Sequence, residues 1–148
     1  MTNWKKGTAM LRKELFVVLT GIFMFPLQAM AADFDGSKSL ACAIVEAIEC
    51  APGEGCIKGW AEDLNLPQFL TVDFAKKLIS GDRPNEGGRL EAEIVAQTTQ
   101  DGSIILQGAQ NGRGWNLTLE ERNGRMTVTA AGRDEGFVLF GACTPNTK

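Results

Sequence analysis

The stretch GRGWNLTLEERNGRMTVTAAG, residues 112–132, alternates apolar and polar residues on both sides of an Asn-Gly pair. Asn-Gly between two alternating runs is typical of a β-hairpin, because both residues tolerate the positive φ angles of a tight turn. Trp115 and Leu117 share one face of the first strand, and Met126 and Val128 share one face of the second. We therefore predict a hairpin whose apolar face points into the interior of the domain.

Further runs of the same kind flank this hairpin on both sides. Pairs such as Asp101-Gly102 separate them and favour short connections. The predicted strands outside the hairpin are Phe69–Ser80, 90–98, 103–110 and Gly136–Cys143. Together they predict a mainly β fold, with about six antiparallel strands in a meander that forms a curled sheet or small barrel.

One segment before these strands has helical spacing instead. Residues 39–50, SLACAIVEAIEC, follow Ser37 and Ser39, which can cap a helix, and Pro52-Gly53 can stop it. The sequence therefore predicts one N-terminal α-helix, with its apolar face formed by Leu40, Ala43, Ile44, Ala47 and Ile48.

The last predicted strand is apolar on both faces, with Phe137 and Leu139 on one and Val138 and Phe140 on the other. A strand of this kind is usually covered on both faces. Since the N-terminal helix is the spare apolar element, we expect it to pack on this strand.

The first residues have the layout of an export signal. Basic residues precede the uncharged run Leu15–Leu27, and Ala29-Met30-Ala31 follows as a cleavage site. The apolar run is shorter than the roughly 20 residues that cross a bilayer. We predict a signal peptide at residues 1–31, cleaved after Ala31, and a single disulfide-stapled domain at 32–148. The expected location is periplasmic or secreted, with no stable membrane insertion after cleavage.

The chain has 4 cysteines, all within the predicted mature domain: Cys42, Cys50, Cys56 and Cys143. An even number in a small exported chain favours disulfides. On a helix, Cys42 and Cys50 would lie about 12 Å apart at ~1.5 Å per residue, too far for a bridge. We favour Cys50–Cys56 with Cys42–Cys143; the pairing 42–56 with 50–143 is the alternative.

Several chemistries lack their usual residues. The chain contains 0 His and 0 Tyr, so Ser-His pairs, histidine metal ligands and histidine proton transfer are excluded. We expect no catalytic residues, no metal and no cofactor. The net charge of −3 and the lack of a basic stripe argue against a nucleic-acid partner. A hydrolase built on carboxylates, with Asp73 as its acid, is the remaining enzymatic hypothesis.

Two blocks, FDGSKSLACAIVEAIEC at residues 34–50 and GWNLTLEERNGRMTVTAAGRDEGFVLFGACTP at 114–145, resemble a group of small exported bacterial proteins with four cysteines. The resemblance extends over most of the mature chain. It implies export and the four-cysteine framework, and it implies no activity, ligand or catalytic residue.

The sequence thus favours an exported domain that acts by binding, without catalysis. One form of this hypothesis is a pocket for a small molecule, with the candidate apolar lining Trp115, Leu117, Met126, Val128 and Phe137. The alternative is a protein-protein interaction module, such as an inhibitor of an envelope enzyme, that presents the loops at 81–89 and 110–114.

Overall fold

The computed structural model describes residues 33–85 and 88–146. The predicted signal peptide, residues 1–31, lies outside these described residues. A short 3-10 helix covers Glu62–Leu64. The strands are β1 (Leu40–Ala51), β2 (Gly55–Gly59), β3 (Phe69–Asp73), β4 (Leu78–Asp82), β5 (Arg89–Glu93), β6 (Ala96–Gln100), β7 (Ser103–Gln110), β8 (Arg113–Glu120), β9 (Arg125–Ala131) and β10 (Gly136–Pro145).

All the strands belong to one antiparallel sheet. Nine of them follow the order β5-β4-β3-β1-β10-β9-β8-β7-β6, and β2 is added beside β1. The two end strands, β5 and β6, are separated in the chain only by Ile94 and Val95. Ile94 N donates to Lys77 O at 2.8 Å, and Val95 N donates to Gln107 O at 2.8 Å. The sheet is therefore curled into a half-barrel, which confirms the predicted mainly β, curled antiparallel architecture.

The predicted N-terminal helix is wrong, because its residues form the strand β1. This strand pairs with β10 along one edge, and with β3 and then β2 along the other. A β-bulge at Val45 shifts the register between Ile44 and Glu46. Since a bulge adds one residue to a strand, part of its inner face acquires helical spacing. The inner-face positions are Leu40, Cys42, Ile44, Ala47 and Glu49.

The sheet also has more strands than the expected six or so. The predicted strand Phe69–Ser80 is divided into β3 and β4 by a turn, in which Asp73 Oδ1 accepts a hydrogen bond from Lys76 N at 2.9 Å. The predicted strand 90–98 is divided into β5 and β6, because the chain crosses there from β4 to β7. The strands β1 and β2 account for the rest of the difference.

The hairpin predicted at 112–132 is present as β8 and β9. Its register places Leu117 opposite Val128 and Leu119 opposite Met126. The apolar side chains of both strands face the interior. The buried core residues of the whole domain include Leu40, Ile44, Val72, Ile79, Ile104, Leu106, Leu117, Leu119, Met126 and Leu139.

Two disulfides join neighbouring strands, in the pairing that the sequence favours. Cys42 lies opposite Cys143 with their Cα atoms 3.9 Å apart, and Cys50 lies opposite Cys56 at 4.0 Å. A 42–50 bridge is excluded more strongly than on a helix, because eight residues of strand span about 26 Å at ~3.3 Å each. Two disulfides indicate an oxidising, extracytoplasmic environment.

The apolar outer face of β10 is not covered by a helix. The first element, β1, lies beside β10 in the sheet rather than on top of it. Phe140 therefore stays 39% exposed on the outer face, whereas Leu139 on the inner face is buried. Within residues 33–85 and 88–146, no helix has the length and apolar character needed to cross a membrane.

Candidate functional site

The inner face of the half-barrel contains a cavity of about 280 Å³. One wall is a row of four residues that lie opposite one another on adjacent strands. This row runs from Trp115 on β8 to Ala130 on β9, Phe137 on β10 and Glu49 on β1. A second row below it contributes the apolar side chains Leu117, Val128 and Leu139. Strand alternation thus places two layers of side chains from β8 to β10 against the same space.

The opposite wall comes from a different part of the chain. After the 3-10 helix, Asn65 adopts a left-handed conformation with φ of 53°, and Leu66 N donates to Ala61 O at 2.8 Å. This tight reversal places Leu64, Leu66 and Pro67 along the cavity. The remaining apolar lining comes from Ile44 on β1 and from Leu70, Ile79, Leu90 and Ala92 on β3, β4 and β5.

The cavity reaches the surface at a polar mouth. Its lining includes Asn65 and Asn111, which are both exposed. Gln110 Nε2, also in the lining, donates a hydrogen bond to Glu91 O and so connects β7 to β5. A largely apolar cavity with a few polar groups at its mouth is the usual form of a small-molecule site.

One arginine at the mouth is fully engaged by the protein. Arg113 Nη2 forms an ion pair with Glu135 Oε1, and their side chains are 39% and 30% exposed. The Arg113 guanidinium also lies 5.9 Å from the centre of the Phe137 ring. Arg113 therefore has both a counter-ion and an aromatic partner, and it holds the Phe137 side of the mouth in place.

Two other donors in the lining have no acceptor. Arg83 Nε and Trp115 Nε1 are both buried, and neither has a hydrogen-bond partner among the described residues. Both side chains line the cavity. Buried donors in folded proteins are nearly always paired with protein, water or ligand, so both donors are open to an acceptor that enters the cavity.

The structure brings together four of the five residues predicted to line a pocket: Trp115, Leu117, Val128 and Phe137. Met126 is not among them. It lies toward the other end of the hairpin, where its Sδ atom is 3.6 Å from Cys143 Sγ. The alternation of the hairpin identifies the inner face, but it carries no information about where along that face a cavity opens.

Sequence reasoning missed the second wall and both arginines. The segment that carries Leu64, Leu66 and Pro67 has no periodic pattern, and Arg83 lies in a loop of mixed composition. Only the two loops proposed for protein binding, 81–89 and 110–114, pointed to the arginines, because each loop contains one of them. The structure places Arg83 from the first and Arg113 from the second at the same cavity mouth.

The carboxylates do not form a comparable site. Asp73 accepts the Lys76 backbone N–H, and its Oδ2 atom is 3.2 Å from Lys76 Nζ. The backbone hydrogen bond from Lys76 is the main reason that the pKa of Asp73 is lowered. Glu120 is occupied by Arg122 and Asn123. Asp73 therefore acts as a turn residue.

No family model, curated protein or solved structure matches the chain.

Proposed function

We propose that the chain is an exported, non-catalytic binding protein that holds a small molecule in the cavity of its half-barrel. The observation that supports this most directly is the cavity itself, a largely apolar space of about 280 Å³ beneath a polar mouth. Ligand pockets generally measure roughly 300–1,000 Å³, so this one suits a compact ligand.

The proposed location is the periplasm or the extracellular medium. The two disulfides support an oxidising compartment. The order of basic, apolar and small residues at the start of the chain supports export through a cleaved signal peptide.

The first test is native mass spectrometry of protein expressed from the full chain in a bacterium that exports it. We expect an additional mass that disappears on denaturation. Protein stripped of this mass should then bind octan-1-ol, a neutral apolar probe, as followed by isothermal titration calorimetry.

Two neighbouring substitutions give this test a matched control. Ala130 faces the cavity, whereas Ala131 is exposed on the opposite face of β9. Ala130→Leu should fill part of the cavity and weaken octan-1-ol binding at least tenfold. Ala131→Leu adds the same volume outside and should leave binding unchanged. Equal loss in both variants, or a bare mass with no octan-1-ol binding, would contradict the proposal.

The competing proposal is a module that inhibits an envelope enzyme through the loops 81–89 and 110–114. Its support is that Arg83 from the first loop and Arg113 from the second line the same cavity. A protein that never binds an apolar probe, yet inhibits one envelope enzyme stoichiometrically, would favour this alternative. Substitution of Arg113 should then reduce the inhibition.

A further inference from the structure

We propose that the ligand of the cavity carries a single carboxylate-type anionic head group, which is bound by Arg83 and Trp115. This inference rests on the proposed binding function and specifies its ligand class: a compact amphiphile with an apolar body and one negative charge.

Two buried donors without acceptors favour a ligand that carries oxygen atoms. Arg83 Nε and Trp115 Nε1 line the same cavity and lack acceptors among the described residues. A buried donor left unpaired destabilises the folded protein, because it has lost its hydrogen bond to water. A ligand oxygen atom that accepts a hydrogen bond from either donor removes this destabilisation, and this strengthens binding of the ligand.

The two arginines of the lining differ in whether they have a counter-ion. Arg113 is neutralised by Glu135, whereas Arg83 forms no ion pair with any described residue. Arginine is the side chain best suited to a planar carboxylate, because its guanidinium donates two parallel hydrogen bonds. Arg83 is therefore the cation that is available to a ligand.

An acidic residue in the lining limits the number of negative charges on the ligand. Glu49 lines the cavity too, on β1 opposite Phe137. Its carboxylate repels any anion in the same space, and it repels a double negative charge about twice as strongly as a single one. A monoanion is thus favoured over a doubly charged phosphate monoester.

The apolar part of the lining and the cavity volume define the body of the ligand. Beneath the polar groups the lining is apolar, from Leu117, Val128 and Leu139 on one side to Leu70 and Ile79 on the other. A volume of about 280 Å³ accommodates on the order of ten heavy atoms, at roughly 30 Å³ per water-sized group. A medium-chain carboxylate such as octanoate has this size and polarity.

The experiment compares three probes of matched length: octanoate, octan-1-ol and octylammonium. Protein expressed from the full chain in an exporting host is stripped of bound molecules and titrated by calorimetry at pH 7. We expect octanoate to bind at least tenfold more tightly than octan-1-ol, and octylammonium to bind no more tightly than octan-1-ol.

Variants then assign the preference to one residue. Arg83→Gln should weaken octanoate binding about tenfold. Octan-1-ol binding should weaken less, because glutamine keeps a neutral N–H donor for a hydroxyl but has no charge for a carboxylate. Arg83→Lys keeps the charge but loses the fork of donors, so it should lie between the wild type and Arg83→Gln. Arg125→Gln removes an exposed arginine at the other end of β9 and should change neither affinity. Circular dichroism spectra of the wild type and of Arg83→Gln check that this variant is folded.

The outcomes separate this inference from the proposal on which it rests. Equal affinity for octanoate and octan-1-ol, or a preference for octanoate that survives Arg83→Gln, would overturn the head-group inference and leave the cavity as an apolar site. Tighter binding of octylammonium would overturn it in favour of a cation held by Glu49. If none of the three probes binds, both proposals are wrong.

Discussion

The indole ring of Trp115 packs directly over Gly108, its partner on the neighbouring strand β7. The carbonyl oxygen of Glu93, at the end of β5, approaches Gly108 as well. A methyl group at this position would overlap both. The same glycine therefore allows the sheet to curl and allows the indole to form the wall of the cavity.

The first prediction follows from that contact. Gly108→Ala should destabilise the domain by about 1–3 kcal/mol, because the added methyl group must displace both the indole and the Glu93 backbone. The measurement is urea denaturation followed by circular dichroism. Gly114→Ala is the control, since a Cβ at Gly114 would meet nothing within 4 Å. Equal stability of the two variants would mean that Trp115 does not pack as described.

The second prediction concerns the two disulfides. Cys42 and Cys143 are 101 residues apart in sequence, whereas Cys50 and Cys56 are 6 apart. A disulfide that closes a longer loop restricts the unfolded chain more. The longer loop should stabilise the fold by about 4–5 kcal/mol, and the shorter one by roughly 2 kcal/mol. Replacing Cys42 and Cys143 with alanine should therefore lower the free energy of unfolding by about 2 kcal/mol more than replacing Cys50 and Cys56. A larger loss from the short bridge would contradict this account.

The third prediction uses two tryptophans as reporters. Trp60 is 65% exposed, whereas the indole nitrogen of Trp115 is buried in the cavity. In protein that has lost the predicted leader, Trp60→Phe leaves Trp115 as the only fluorophore of this type. Its emission should be blue-shifted and weakly quenched by acrylamide, and octan-1-ol should change it. Strong quenching in Trp60→Phe would place Trp115 in solvent.

The fourth prediction is a stability profile against pH. A side-chain hydrogen bond from Ser37 is the main cause that lowers the pKa of Asp35, and the backbone N–H of Lys76 does the same for Asp73. Groups whose pKa is lower in the folded state stabilise the fold above their unfolded pKa. That contribution is lost as the pH falls through the folded value.

The free energy of unfolding should therefore fall below about pH 4. Between about pH 5 and 8 it should stay nearly constant, because the chain has 0 His. Urea titrations across this range provide the measurement. Asp73→Asn should show a smaller acid loss than the wild type, and a marked transition near pH 6.5 would contradict the prediction.

The regular hairpins of this fold were predictable from sequence, and its irregular parts were not. Residues 112–132 combine strict alternation with an Asn-Gly turn, so local patterns alone identify β8 and β9. In β1, the bulge at Val45 gives Leu40, Ile44 and Ala47 the spacing of a helical face. Pairing with β10, β2 and β3 makes that segment a strand, and no local sequence pattern predicts this pairing.

The candidate site shows the same division. Trp115, Leu117, Val128 and Phe137 come from regular strands and were predicted to share a pocket, and they do line one cavity. Arg83 and Leu66 reach that cavity from irregular segments. Their positions depend on turns and long-range packing, which periodicity does not encode.

The two bridges also set an order for oxidative folding. Cys50 and Cys56 belong to a hairpin that needs only β1 and β2, so their loop closes at a small entropic cost. The partner of Cys42 lies on β10, the last strand of the chain, so the long bridge needs pairing across the whole domain. Early closure of the hairpin thus withdraws two thiols before β10 pairs with β1. Cys42 then has a single partner left, and the long bridge forms without competition.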